Sequence, residues 1–179
     1  MAETTGASTG RSRMVTGLFR DRESAERAYG SLTSRGYSKD DLNLVMSDDT
    51  RKKHFSDDND TDLDTKAWEG AGKGAAIGGT VGATLAAIAA IGTSVALPGI
   101  GLLIAGPLAA GIAGAGAGGL TGGLIGALIG SGIPEDRAKE YEKGINEGGI
   151  LMGVNTRTDE DAEYFENDWR TNRGEHVYR

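Results

Sequence analysis

The sequence predicts an α+β fold interrupted by a long glycine-rich insertion. Three observations carry that reading. Residues before 48 and after 133 alternate short strand-like apolar runs with runs at helical spacing. From Gly74 to Pro134 there is no charged residue in 61 positions. Twenty of the 30 glycines fall between Gly70 and Gly132, and small residues recur there at every fourth position.

The elements follow in order. Residues 1–13, rich in Thr, Ser and Gly, read as a disordered leader, because no apolar run marks a secretory signal. Residues 14–47 form the first half of the sheet domain. Met14 to Phe19 is a strand, Asp21 the N-cap of a helix from Arg22 to Arg35, and Gly36 its terminator. Asp41 to Met46 is a second strand, with Leu42 and Leu44 alternating with polar neighbours. Residues 48–69 are charged and poor in apolar side chains, so they read as a mobile acidic linker.

Residues 70–133 are the insertion. Gly70, Gly74, Gly78, Gly82, Ala86 and Ala90 form one row of four-residue spacing. Ala110, Gly114, Gly118, Gly122, Gly126 and Gly130 form another, beside a parallel row through Gly119 and Ala127. Four-residue spacing keeps a row on one helix face, and glycines there let a second helix backbone approach closely. The segment reads as a glycine-zipper hairpin of two helices, turning at Leu97-Pro98-Gly99. Its packing residues are Gly74, Gly78, Gly82, Gly114, Gly118, Gly122 and Gly126. The uncharged run is long enough for two membrane crossings of about 20 residues each. Lys66 and Lys73 before it, and Arg137, Lys139 and Lys143 after it, place both ends on the cytoplasmic side. A cytoplasmic assembly without lipid is the alternative, since the hairpin carries few Leu, Ile or Val residues.

Residues 134–170 are the second half of the domain. Pro134 opens a helix to Asn146, Ile150 to Thr156 is a strand, and Asp159 to Trp169 is an amphipathic helix. Residues 171–179 read as a frayed tail. The halves, β-α-β and α-β-α, pair into one small sheet domain of ferredoxin-like type split by the hairpin.

Composition narrows the chemistry. A net charge of -7 and a pI near 4.9 leave no basic face for nucleic acid. Cysteine is absent, which removes disulfides, thiolate metal sites and cysteine nucleophiles. Gly114 to Gly119 matches GxGxxG but follows no strand, and Gly72-Lys73-Gly74 lacks the hydroxyl residue of a Walker loop. Asp58, Asp60, Asp62 and Glu69 fall at calcium-loop spacing, yet Leu63 stands where that loop needs glycine. His54 lies in the linker and His176 in the tail, neither beside a nucleophile. The sequence therefore predicts no enzyme, cofactor, metal site or small-molecule substrate.

Two segments carry a family resemblance: VTGLFRDRESAERAYGSLTSRGY, from Val15 to Tyr37, and the run from LPGIGLLIAGPLAAG at Leu97 through EDRAKEYEKGINEGGILMGV to Val154. In this order they resemble bacterial general stress or low-temperature-induced proteins that carry a glycine-zipper insert. That resemblance implies a non-enzymatic stress-response protein, linked to a membrane or associating with copies of itself. It supplies no catalytic residues.

Overall fold

The computed structural model describes residues 14–55, 95–97, 101–109 and 123–179. Their centre is an antiparallel sheet of six strands in the order β3-β4-β2-β5-β1-β6. The strands are β1 (Met14–Phe19), β2 (Leu42–Ser47), β3 (Val95–Leu97), β4 (Leu102–Ala105), β5 (Ile150–Asn155) and β6 (Glu175–Tyr178). The helices are α1 (Arg22–Ser34), α2 (Asp48–Phe55), α3 (Gly123–Gly130), α4 (Glu135–Asn146) and α5 (Asp159–Thr171).

Local signals explain the long helices. The Asp21 carboxylate accepts the Ser24 amide at 2.7 Å, and α1 buries Ala25, Ala28, Tyr29 and Leu32 on one stripe. Thr158 caps α5 through the Asp161 amide at 3.0 Å, and α5 buries Ala162, Phe165 and Trp169. Capping satisfies amides that the first helical turn leaves unpaired.

Strand alternation divides the core in two. Val15, Phe19, Leu44, Met46, Met152 and Val154 face α1 and α5. Leu18, Val45, Leu151 and Ile104 face α3 and α4. The halves of the chain on either side of the insertion meet in the sheet, where β2 of the first pairs with β5 of the second from Leu42↔Val154 to Met46↔Ile150.

They are also joined at the surface. The Tyr37 hydroxyl donates to Asp161 at 2.7 Å and accepts the Arg157 amide at 2.9 Å. Arg35 pairs with Asp161 at 2.7 Å while its guanidinium lies 3.7 Å from the Tyr164 ring centroid. The Tyr37 hydrogen bond, followed by that from Arg35, holds the Asp161 carboxyl below its ordinary pKa. A depressed folded-state pKa contributes stability above the unfolded value, near 3.9, and loses it as pH falls through the folded one. Asp161→Asn is therefore expected to lower the urea midpoint at pH 7, and its difference from the parent to shrink towards pH 3.

Three elements depart from the expectations. Residues 48–55, read as linker, form α2. The Ser47 hydroxyl accepts the Thr50 amide at 3.1 Å, Asp48 pairs with Lys52 at 2.8 Å, and Phe55 is buried in the core. The cap, a first turn of aspartates before a last turn of cations, and one anchoring ring suffice for eight residues. The tail, read as frayed, contains β6, which adds to β1 and buries Val177.

The third departure is the largest. The middle of the insertion, read as the turn and flanks of a helical hairpin, is a β-hairpin. β3 pairs with β4 from Val95↔Ile104 to Leu97↔Leu102, and β4 pairs with β2 from Leu44↔Ala105 to Ser47↔Leu102. The reason is legible afterwards. The four-residue rows lapse between Ala90 and Ala110, and VAL and LLIA are strand-length apolar runs punctuated by Pro98-Gly99 and Gly106-Pro107. The insertion is thus woven into the sheet.

Candidate functional site: the insertion face of the sheet

The face under α3 and α4 is where the insertion meets the domain. Leu108 and Ala109, then Leu124, Ala127 and Leu128 of α3, cover Leu18, Val45, Leu151 and Ile104. The turn into this cover is held at one polar point, where the Asn43 side-chain oxygen accepts the Leu108 amide at 2.7 Å. Asn43 sits between the inward-facing Leu42 and Leu44 on β2, so its side chain emerges on the insertion face. Alternation with Leu42 and Leu44 marks Asn43 as a polar residue of the strand, but no local signal points to its partner, 65 residues away.

A second buried contact lies on α4. The Tyr141 hydroxyl donates to the His176 carbonyl at 2.8 Å, leaving Thr16 to donate to Tyr141 at 2.7 Å. Burial pushes the Tyr141 phenol well above the ordinary tyrosine range, against the lowering effect of the Thr16 hydrogen bond. Such a phenol holds its proton at neutral pH, and that proton is donated within the fold to the His176 carbonyl.

Between these contacts is a cavity of about 10 Å3, lined by Met14, Thr16, Asn43, Leu108, Leu128 and Gly153 among others. That is about the space of one water molecule. It is far below the several hundred Å3 of a small-molecule site.

The histidines sit on separate elements. His54 lies in the last turn of α2, where burial, then the charges of Lys53 and Arg22, hold its imidazole below the usual pKa. His176 lies on β6 with Nδ1 3.2 Å from Glu140. Among the described residues, no group of three or more His, Asp or Glu is placed to hold a metal ion. Asp58, Asp60, Asp62 and Glu69 lie outside the described residues.

Of the glycines expected to pack helices, Gly74, Gly78, Gly82, Gly114, Gly118 and Gly122 also lie outside the described residues. Gly126 is on α3. Leu124, Ala127 and Leu128 turn into the core, whereas a Cβ at Gly126 or Gly130 would meet no atom of another described element within 4 Å. Ile129 beside them is 42% exposed. The helix thus commits its leucines inward, and among the described residues Gly126 is half-buried and Gly130 exposed.

Among the described residues, no helix is long and apolar enough to cross a membrane.

Fold and site together define an α+β packing module with an insertion built into its sheet. Comparison with protein-family models, with curated proteins and with solved structures finds no match.

Proposed function

We propose that this chain is a non-enzymatic protein that associates with copies of itself through the glycine rows of its insertion. The observation carrying this reading is the small-residue row at Gly126, half-buried, and Gly130, exposed, on a helix whose opposite face is buried. Gly114, Gly118 and Gly122 continue that row in sequence, and a row of this kind admits the close approach of another helix. The order β6-β1-β5-β2, with α1 and α5 as crossovers, supports a ferredoxin-like core. On that core, β3, β4 and α3 are additions from the insertion. A role in stress response follows from the resemblance of the quoted segments.

Replacing both Gly118 and Gly122 with Leu is expected to lower the molar mass measured by light scattering to that of a smaller species. An unchanged mass would remove the glycine rows from the account. A lipid surface is the second partner, favoured by the 61 uncharged residues. Fractionation separates the two readings. Recovery as a large species without detergent supports self-association alone, and retention through alkaline carbonate with release by detergent supports the membrane.

A further inference from the structure

We propose that β6 is an exchangeable strand: hinged at Arg173, it leaves its own β1 and pairs with β1 of a second copy of this chain. The observation is a contrast between helix ends. α1 stops at Arg35 and α4 at Glu147, and the next residue in each is a left-handed glycine, Gly36 (φ 76) and Gly148 (φ 91). α5 stops in the same way at Asn172, with the Gly174 amide donating to the Trp169 carbonyl at 2.7 Å. Here, however, the left-handed residue is Arg173 (φ 65).

Glycine takes that conformation without strain, whereas a Cβ is crowded against the backbone. The glycine of this turn stands one place later, at Gly174, where a Cβ would lie 2.7 Å from the Trp169 carbonyl oxygen. Two adjacent positions call for glycine and one has it. Asn172 to Gly174 is the entire link between α5 and β6. A short hinge under strain favours strand exchange, because straightening it relieves the strain while the strand recovers all its contacts on the partner.

The docking of β6 suits a strand that leaves. Its register with β1 is reduced to Thr16↔Tyr178 and Leu18↔Glu175 with an irregularity between them, and His176 is itself left-handed (φ 49). What holds it comes largely from elsewhere. Glu140 accepts the Tyr178 hydroxyl at 3.0 Å and faces His176, Arg20 pairs with Glu175 at 2.8 Å, and Tyr141 donates to the His176 carbonyl. The Arg20–Glu175 pair is partly exposed and weak. A strand from a second copy meets every one of these groups in the same way, so the partner is matched because it is the same strand. No residue of the glycine rows takes part, so this exchange stands apart from association through the insertion.

The chain has no cysteine, which makes the test direct. Thr16→Cys is made in one preparation and Tyr178→Cys in another, and the two are refolded together at high concentration and oxidised. Thr16 is 5% exposed, so only a strand seated against β1 reaches it. The expected result is a disulfide-linked heterodimer of twice the chain mass, its yield reduced about tenfold when both chains also carry Arg173→Gly. The doubly substituted chain, refolded dilute, should close within itself and so fixes the register. Absence of the heterodimer while that chain closes overturns the proposal, as does a yield indifferent to Arg173→Gly. The unsubstituted chain provides a second arm. Its amides at 177 and 178 should exchange through an opening smaller than global unfolding, and exchange only together with the whole sheet overturns the proposal as well.

Discussion

Gly106→Val is expected to destabilise the domain by at least about 3 kcal/mol, as measured by urea unfolding. Gly106 follows β4 with φ 93, a conformation that a β-branched residue adopts only under strain. Space is closed as well: a Cβ there would overlap the Leu42 carbonyl, with the backbone of Asn43 just beyond. Both obstacles are backbone, so no side-chain rotation relieves them. The same residue sets the turn that brings the Leu108 amide to Asn43. Moving it strips the insertion from the sheet face and leaves Asn43 buried without its partner, which adds its own penalty. Gly101 is the control. It is also left-handed (φ 64), but a Cβ there would meet nothing within 4 Å. Gly101→Ala should therefore lose only about 1 kcal/mol, the intrinsic cost of the conformation.

Trp169→Ala is expected to cost about 3–5 kcal/mol by the same measurement. Trp169 is the largest fully buried side chain among the described residues and lies edge-on to Phe19, with ring centroids 5.7 Å apart. It fills the room left by Gly17, where a Cβ would come within 3.1 Å of the indole. Its removal opens a cavity against β1, Phe165 and Val177 at once. The indole nitrogen, however, is buried with no hydrogen-bond partner among the described residues. Trp169→Phe keeps much of the volume and removes that unpaired donor, so it should cost far less than the alanine variant. Equal losses for the two would mean that indole size rather than ring packing sets the energetics.

Much of the domain was legible in the sequence because its signals are local. Met14–Phe19, Asp21 with the helix after it, Gly36, Pro134 and the stripe Ala162, Phe165, Trp169 all read directly. What stayed hidden depends on partners remote in the chain. β6 contributes one buried residue, Val177, and exists because β1 offers an edge 155 or more positions earlier. α2 looks like linker until Phe55 finds its place beneath the first half of the domain. In the insertion, glycine spacing predicts helix, and the strands occupy the stretch where that spacing lapses. Asn43 was invisible as a clamp because its partner, Leu108, is 65 residues away. The glycine rows are legible by period alone, and on α3 the two rows part: Ala127 is buried, Gly126 half-buried and Gly130 exposed.

The central claim is that the insertion belongs to the sheet, and native-state hydrogen exchange on the full chain tests it most directly. The account predicts that amides of residues 102–105 are protected along with those of β2 and β5, and are released in the same cooperative unfolding. Rapid exchange at 102–105 while β2 and β5 remain protected would contradict it. The insertion would then be a separate appendage, and a helical hairpin would return as its description.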